Sequence, residues 1–470
     1  MQKFFQRLIV SALAFGLVSG AVVAEVARVN RPPHIVVIVA DDLGFADVGF
    51  HGSDIRTPNI DLLAASGATL ERFYAMPFCS PTRAALLTGR HPFRYGLQTA
   101  AIPADGSYGL NTNEVLLPNL LQQAGYRTAI VGKWHLGHAR KEFWPLRRGF
   151  DYQYGPFVGE IDYFTHSIDG QRDWNENDKP LQEEGYATEL IGRKAEQLIL
   201  AHDTTTPLFL YLTFTAPHAP YQVPAKYELP YASIADSTRR TYAGMVACMD
   251  EQIGKVLAAL ESKRMRENTL ILFLSDNGGN RTAAFSGEGD VSDLVLPASN
   301  TPFRGGKGNL LEGGCRVVAV ANWPGHIQTG KISAPMQVVD VLPTLARMAG
   351  VSTGGTKPLD GVDQGELLTK GVATRTEVIY NIEPYRAALS RGDWKLLLKT
   401  SLPPQAELYH LTTDPGEATN VAAEHPDQVA ELRQRIFQLA TEAEPPLFFG
   451  YAIRHHDRMK EILQSLQSRK

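Results

Sequence analysis

Cysteine is scarce in this chain, and neither sign of charge is in excess. Only three cysteines, Cys79, Cys248 and Cys315, occur among 470 residues, which excludes a dense disulfide framework and leaves at least one cysteine unpaired. Cys248 and Cys315 lie in apolar stretches, which predicts that both are small core side chains. The 46 basic and 50 acidic residues give a net charge of −4. This balance does not supply the basic stripe that binding to nucleic acid requires.

Long hydrophobic runs are also missing. The apolar run from Leu8 to Val18 is too short to span a bilayer. It follows a basic flank and is followed by small residues that end at Ala24, an order typical of a signal peptide. We therefore predict a signal peptide over residues 1–24, an exported protein that is periplasmic or secreted, and no membrane anchor after cleavage. The cysteines look unpaired, which favours the periplasm.

Beyond residue 30, short apolar runs alternate with amphipathic stretches of helical length, a pattern that predicts an α/β fold with a largely parallel sheet. Four of the apolar runs are unbroken, as expected for strands covered on both faces, at 34–40, 128–131, 208–214 and 269–275. Residues 350–357 are rich in Gly, Thr and Ser, which favours a linker. We predict a catalytic domain over 30–370 and a smaller α+β domain over 371–470, with strands at 377–380 and 394–398.

Polar residues follow each of the four predicted strands. They are Asp41 and Asp42, Lys133 and His135, His218, and Asp276 and Asn277. Because ligands of open parallel sheets bind beyond the carboxyl ends of the strands, these side chains are expected to meet at one edge. Carboxylate and amide oxygens suit calcium or magnesium, so the acidic residues and Asn277 predict a divalent metal site.

Cys79 is predicted to lie at the N-terminus of a helix. Ser80 is placed as its N-cap, Pro81 at its first position and Gly89 at its C-terminal stop. The free amides and the positive dipole end of a helix start favour an anion. Arg83, one turn further along, adds a fixed charge suited to a tetrahedral oxyanion.

The segment Cys79–Arg83 with the following Ala84–Arg90 resembles the signature of the type I sulfatases, in which the cysteine is converted to formylglycine. Further segments similar to that family lie at 132–137, 276–279, 300–307, 311–314, 391–396, 407–411 and 414–417. The resemblance covers residues 33 to about 425. Segments 242–250 and 357–361 are most similar to the arylsulfatase B group, which includes N-acetylgalactosamine-4-sulfatases. Animal members of that group carry disulfides that this chain lacks, so the resemblance does not extend to loop structure or substrate preference.

The resemblance implies an alkaline-phosphatase-like fold, with a large and mostly parallel sheet flanked by helices and a short antiparallel sheet in a C-terminal domain. It also implies one calcium ion, with magnesium as the alternative, held by Asp41, Asp42, Asp276, Asn277 and an oxygen on the modified Cys79. A formylglycine-generating enzyme is the implied partner during maturation. The implied substrate is a sulfated small molecule or carbohydrate.

The same resemblance implies a role for each remaining polar residue. One hydroxyl of the formylglycine hydrate attacks sulfur, and His218 protonates the leaving oxygen with Lys307 nearby. His135 helps to remove the proton of the second hydroxyl, so that sulfate is expelled. Arg83 and Lys133 hold the sulfate oxygens and offset their charge.

Two other functions stay open at this point. The first is a phosphomonoester or phosphonate hydrolase of the alkaline phosphatase superfamily, although a two-metal phosphatase needs further His and Asp ligands that the sequence does not mark. The second is an exported carbohydrate-binding protein without turnover. Aromatic residues between Tyr152 and Tyr163 line the substrate mouth in one interpretation and pack within a loop in the other.

Overall fold

The structure is a computed structural model that describes residues 31–281, 296–401 and 403–455. The predicted signal peptide over 1–24 lies outside the described residues. In the described part of the chain, no helix has both the length and the apolar character needed to cross a membrane. All elements given below belong to the part of the chain from His34 onwards.

Nineteen strands and eleven α-helices are described. The strands are β1 (His34–Ala40), β2 (Ala68–Leu70), β3 (Phe73–Tyr74), β4 (Arg127–Gly132), β5 (Tyr152–Gly155), β6 (Ser167–Ile168), β7 (Gln171–Arg172), β8 (Asn175–Glu176), β9 (Lys179–Pro180), β10 (Leu208–Thr213), β11 (Thr269–Ser275), β12 (Arg316–Val317), β13 (Ala319–Asn322), β14 (Gly330–Ile332), β15 (Met336–Gln337), β16 (Glu377–Ile382), β17 (Arg386–Arg391), β18 (Trp394–Lys399) and β19 (Gln405–His410). The helices are α1 (Pro58–Ala65), α2 (Cys79–Thr88), α3 (Leu117–Gln123), α4 (Ala187–Ala201), α5 (Ala225–Glu228), α6 (Ser237–Ser262), α7 (Glu312–Cys315), α8 (Val341–Met348), α9 (Gly365–Lys370), α10 (Pro426–Ala440) and α11 (Leu447–Arg454).

The central sheet has ten strands in the order β14-β2-β13-β11-β1-β10-β4-β5-β8-β9. The four predicted strands are its neighbouring parallel strands β11, β1, β10 and β4. The first two have the predicted bounds, whereas β10 ends one residue earlier than predicted and β4 extends one residue further at each end. Strand β13 runs antiparallel to β11, so the sheet is mixed but mostly parallel, and the predicted fold class is confirmed.

Both faces of the central sheet are covered. Val36 and Ile38 of β1 pack into one hydrophobic core, whereas Ile35 and Val37 pack into another on the opposite face. Side chains alternate across a strand, so a strand buried on both faces has no solvent-facing side that requires alternating polar residues. This explains why the runs are unbroken in sequence, and each such side chain stabilises the fold by roughly 1.5–3 kcal/mol.

A second, antiparallel sheet of four strands, β16 to β19, follows in the C-terminal part of the chain. Helix α10 packs on it through Leu432 and Ile436. The side chain of Glu312, on α7, is buried and accepts hydrogen bonds from the Tyr380 hydroxyl at 2.6 Å and the Lys395 ammonium at 3.0 Å. The two predicted strands of this region are confirmed, and the domain boundary near residue 370 stays a prediction.

The three cysteines are buried and none forms a disulfide. Cys248 lies on α6 and Cys315 at the end of α7. The interpretation of these two residues as core side chains is confirmed, because neither has any exposed surface.

Candidate active site

The carboxyl ends of the central strands lie level with one another. Ala40 is paired with Ser275, so Asp41 and Asp276 follow at the same height. The amide of Asp276 donates to the carbonyl of Ala40 at 3.0 Å, which continues the pairing by one step. The structure therefore brings together the residues that follow separate strands, as the sequence predicts.

A glycine allows the strands β4 and β10 to approach closely at this edge. Gly132 has φ 115°, and a Cβ at this position would lie 1.8 Å from the carbonyl oxygen of Thr213. No other residue type fits such an approach without a shift of the backbone. The next residue, Lys133, donates its amide to the same carbonyl at 2.9 Å. Its side chain is thereby directed into the site.

Helix α2 begins at Cys79, two residues earlier than predicted. Its N-cap is Phe78, which makes no side-chain cap, so the prediction of Ser80 as N-cap and Pro81 as first residue is wrong. The Thr82 hydroxyl accepts from the amide of Met76 at 2.9 Å and donates to its carbonyl at 3.2 Å. This contact fixes the chain that enters the helix, and the hydroxyl of Ser80 accepts a bond from another loop instead. The predicted stop at Gly89 is confirmed by its left-handed conformation.

Three carboxylates face three cations at this edge, all of them at least 95% buried. The carboxylates are Asp41, Asp42 and Asp276, and the cations are Arg83, Lys133 and Lys307. Arg83 donates twice to Asp276, from Nε at 3.1 Å and from Nη2 at 2.8 Å. Lys133 Nζ donates to Asp41 Oδ2, and Lys307 Nζ donates to Asp42 Oδ2 at 2.9 Å. Each carboxylate therefore has its own cationic partner.

The cations keep two of the three carboxyls acidic. Burial opposes the ionisation of Asp41, but the surrounding cations, Lys133 foremost, hold its pKa below its ordinary value. Asp42 behaves in the same way because Lys307 lies against it. The pKa of Asp276 is raised, by burial first and then by the charge of Asp41. A hard cation bound between these groups would favour the ionised form of all three.

Two buried oxygens at this edge suit a metal ion. Asp41 Oδ1 and Asn277 Oδ1 have no hydrogen-bond partner among the described residues. A buried acceptor without a donor costs free energy, so an oxygen left in this state calls for an electropositive partner. The Asn277 amide donates from Nδ2 to Asp42 Oδ1 at 2.7 Å, which orients the group. Both unpaired atoms are oxygens, and oxygen is the ligand atom that calcium and magnesium prefer.

In the described part of the chain, only two groups of three His, Cys, Asp or Glu side chains have ligand atoms within 4.8 Å of one another. They are Asp41 with Asp42 and His218, and Asp41 with Cys79 and Asp276. Both groups contain Asp41, so they surround one place rather than two. The residues fit a single ion together with a group on residue 79.

His135 directs a ring nitrogen that can accept a proton towards Cys79. Its Nε2 lies 3.0 Å from the carbonyl of Ile102, which can only accept, so Nε2 carries the proton. Nδ1 is then the basic nitrogen, and it lies 3.3 Å from the Sγ of Cys79. Burial and the charge of Lys133 hold the pKa of His135 well below its ordinary value, so the ring is neutral. His135 also has φ 58°, a strained backbone of the kind found at functional sites.

His218 is the most exposed of the predicted site residues, at 9%. Its Nδ1 lies 2.5 Å from the carbonyl of Ala219, so Nδ1 carries the proton and Nε2 is directed into the site. Nε2 lies 3.6 Å from Asp42 Oδ2. Of the two site histidines, His218 is the more exposed, at 9% against 5% for His135.

Tyr163 makes contacts with the His218 loop that the sequence did not reveal. It is 1% exposed, and its hydroxyl lies 2.6 Å from the carbonyl of Thr215 and 2.9 Å from that of His218. Of the two interpretations of the aromatic stretch, packing within a loop is the one that holds for this residue. A tyrosine hydroxyl needs a partner when buried, and here the partner is the backbone of the His218 loop.

The Lys307 loop reaches the Cys79 segment directly. The amide of Gly308 donates to the carbonyl of Pro77 at 2.8 Å. Lys307 also contacts Asp42, so the segments that contain Asp42, Cys79 and Lys307 lie in one cluster. Nine of the ten predicted site residues belong to loops, strand ends or a helix start around this cluster. The tenth, Arg83, reaches the cluster from the first turn of α2.

The chain belongs to the sulfatase family, whose family model, described as Sulfatase, matches residues 33–351. It is 34% identical over 471 residues to arylsulfatase J of Mus musculus, which covers 88% of this chain and 76% of that protein. It is 32% identical over 497 residues to N-acetylgalactosamine-6-sulfatase of Mus musculus, with 95% and 91% covered. The protein is therefore a sulfuric ester hydrolase. The finer likeness to the arylsulfatase B group stays a prediction.

Two solved structures are also similar to this chain. The crystal structure of Ps i-CgsB in complex with k-i-k-neocarrahexaose has a TM-score of 0.80 and 32% identity, and the match covers 88% of this chain and 94% of that one. The phosphonate monoester hydrolase of Agrobacterium radiobacter has a TM-score of 0.64 at 19% identity, with 87% and 96% covered. The second likeness shows the shared fold alone.

Proposed function

We propose that this sulfatase hydrolyses aryl sulfates or sulfated carbohydrates through a formylglycine made from Cys79, with one calcium ion. The observation that carries the proposal is the position of Cys79, whose Sγ lies within 4.8 Å of carboxylate oxygens of Asp41 and Asp276. The same Sγ contacts the basic nitrogen of His135. A buried cysteine that packs as a core residue has no use for two carboxylates and a histidine.

A thiol is poorly suited to act at this position. Burial raises the pKa of Cys79, so the thiolate, which is the reactive form, is disfavoured. Formylglycine supplies, when hydrated, one hydroxyl that attacks sulfur and a second whose deprotonation expels sulfate. Calcium supplies, when bound, polarisation of the sulfate oxygens and of the attacking hydroxyl. The residues that would hold it are Asp41, Asp42, Asp276 and Asn277, together with an oxygen on residue 79.

The cations of the site offset the charge of the sulfate. Arg83 and Lys133 are fully buried, so their charges act with little screening by water. Their positions are fixed before the substrate arrives: Arg83 by Asp276, and Lys133 by Asp41. Charges that need no rearrangement during the reaction are the most effective stabilisers of a transition state.

The two histidines divide the proton transfers. His135 presents a neutral, basic Nδ1 to residue 79 in the buried part of the site, which suits removal of a proton there. His218 directs Nε2 towards Asp42, and in this proposal the alcohol of the ester leaves beside that nitrogen. His218 is the proposed acid for the leaving oxygen, a role that requires a proton on Nε2 in addition to the one on Nδ1, and the Lys307 ammonium is bound to the same Asp42.

Substrate and maturation belong to the same proposal. One of the relatives named above is an N-acetylgalactosamine-6-sulfatase by name, and one solved relative is in complex with k-i-k-neocarrahexaose. We take a sulfated carbohydrate as the natural substrate, a formylglycine-generating enzyme as the partner in maturation, and export as the route. Only one set of metal ligands is present among the described residues, which disfavours two-metal phosphatase chemistry.

The experiment compares an aryl sulfate with the matching aryl phosphate, each with and without calcium. We expect faster release from the sulfate, and a loss of that activity after chelation. Asp276→Asn should weaken calcium binding and lower kcat/KM by more than about 100-fold, because a ligand and the partner of Arg83 are altered together. Preference for the phosphate ester would contradict the proposal.

A matched control is available in Asp340→Asn. Asp340 is also fully buried and paired with an arginine, Arg375, whose Nε donates to it at 2.8 Å, but it lies outside the site. This variant should lose stability while calcium affinity and the preference for sulfate persist. If both variants lose calcium binding equally, the loss results from lower stability, and the assignment of Asp276 as a metal ligand is wrong.

A further inference from the structure

One buried amide side chain joins three separate segments of the active site. Asn300 is 3% exposed, and its Oδ1 accepts from the amides of Gly279 at 2.9 Å and Phe45 at 3.4 Å. Its Nδ2 donates to the carbonyls of Gly279 at 2.9 Å and Gly305 at 3.0 Å. A primary amide has two accepting and two donating positions, and all four are used.

Each of these contacts lies within three residues of a proposed site residue. Phe45 follows the Asp41 and Asp42 pair, and Gly279 follows Asp276 and Asn277. Gly305 precedes Lys307 by two residues. Asn300 itself belongs to none of the helices or strands, so its position depends on these bonds and on its own loop.

The Lys307 loop and the Asp276 loop pack closely against each other beside Asn300. A Cβ added to Gly306 would lie 2.5 Å from the carbonyl oxygen of Gly279 and 3.0 Å from Nδ2 of Asn300. The Lys307 loop and the Asp276 loop are therefore in direct backbone contact beside the amide. The amide of Lys307 also points to the carbonyl of Gly279, at 3.3 Å.

We propose that Asn300 is a positioning residue, which holds the two pairs of metal ligands and the Lys307 loop at the spacing that the ion and the substrate require. Without the amide, four hydrogen bonds to the backbone are lost, and the three loops are tied only through their strands and direct contacts, such as the one between the Lys307 amide and the Gly279 carbonyl. Groups that hold metal ligands in place typically change metal affinity about 10- to 100-fold when removed. The inference rests on the proposed function for its consequence, although not for the contacts themselves.

Asn322 provides a matched comparison within the same chain. It is fully buried, and its Nδ2 donates to Leu63 and Ser66, each at 2.9 Å, while Oδ1 accepts from Arg266. It is paired with Ile271 on β11, four residues before the end of the strand where the site lies. Asn322 is therefore buried and hydrogen-bonded like Asn300, but it does not lie at the candidate active site.

The experiment measures two properties of the full-length variants Asn300→Ala, Asn300→Asp and Asn322→Ala. The first is hydrogen exchange of the backbone amides in the segments around Phe45 and Gly279, without calcium. The second is the dissociation constant for calcium ions by calorimetry. Asn300→Asp keeps the volume of the side chain but removes both donors, so it separates the loss of bonds from the loss of packing.

We expect Asn300→Ala to speed exchange in both segments and to raise the calcium dissociation constant by about tenfold or more. Asn300→Asp should weaken calcium binding in the same direction, whereas Asn322→Ala should change neither property. Unchanged exchange in Asn300→Ala, or equal changes in Asn322→Ala, would overturn the proposal. If the wild-type chain binds no calcium, the metal of the proposed function fails, and the exchange measurement alone still decides the role of Asn300.

Discussion

His91 is a buried imidazole that takes no part in the candidate site. It is 1% exposed, neither ring nitrogen has a hydrogen-bond partner among the described residues, and the ring stacks on Phe93 with centroids 5.5 Å apart. Burial, foremost, lowers the pKa of His91 from 6.5 to about 4. The folded chain therefore keeps this ring neutral at a pH where the unfolded chain protonates it.

This residue makes the fold sensitive to acid. Between pH 6.5 and 4 the unfolded state binds a proton that the folded state does not, so the free energy of unfolding falls as the pH falls. The contribution is complete above pH 6.5, and its loss reaches about 3 kcal/mol at pH 4. Urea denaturation at a series of pH values should show a shallower decline for His91→Leu than for the wild type. His326 is exposed, so His326→Leu is the control that should keep the wild-type decline, and an unaltered decline in His91→Leu would refute the assignment.

Individual site residues were predictable where the chemistry itself determines the residue type. Asp41, Asp276 and Cys79 stand in short motifs that have few alternative uses, and the structure brings them together. Asn300 and Tyr163 were not predictable as site residues, because an amide or a hydroxyl acquires its role only from the backbone groups that the fold places around it. For Asn300 the one available signal was its place at the start of the segment that contains Lys307.

At the scale of elements, the loop after β10 is contacted by Tyr163, a residue from another loop. This loop contains His218, and the hydroxyl of Tyr163 holds two of its carbonyls. Tyr186 stacks on Tyr163 with centroids 5.4 Å apart, but its own hydroxyl donates to the carbonyl of Gln222 at 2.8 Å. The two tyrosines are therefore alike in burial and packing and differ in what their hydroxyls hold.

Tyr163→Phe should lower kcat by about 3- to 10-fold, because one buried hydrogen bond contributes about 1 kcal/mol. The loss should be larger for sulfate esters with a poor leaving group, since these depend most on the acid at His218. Kinetics on a series of aryl sulfates of graded leaving ability would measure it, with Tyr186→Phe as the control. An equal loss across the series would show that Tyr163 acts on the fold alone.

The main strands were predictable because their burial on both faces leaves an unbroken apolar run. Short strands such as β2, β13 and β14 were not predicted, since two to four residues carry too weak a pattern. The start of α2 was misplaced because Ser80 and Pro81 match the usual start of a helix. The structure uses the Thr82 hydroxyl to fix the entering chain instead, a contact that depends on Met76.

At the scale of the whole molecule, the small sheet and the sulfatase core share a buried charged cluster. Lys395 on β18 lies 3.0 Å from Glu312 and 2.8 Å from Glu417, and none of the three side chains is exposed. Glu312 follows the Lys307 loop by five residues, so the C-terminal sheet supports the segment that carries a proposed catalytic lysine. This arrangement could be anticipated only as a family likeness, because nothing in the local sequence shows which buried charges meet.

The central claim is that Cys79 is converted to formylglycine beside Asp41 and Asp276 in the candidate active site. Trypsin releases residue 79 in the peptide Phe73–Arg83, so mass spectrometry of that peptide from the native host reads the modification directly. The account predicts the mass of the aldehyde or of its hydrate at residue 79. A peptide that carries only the unmodified thiol would contradict it.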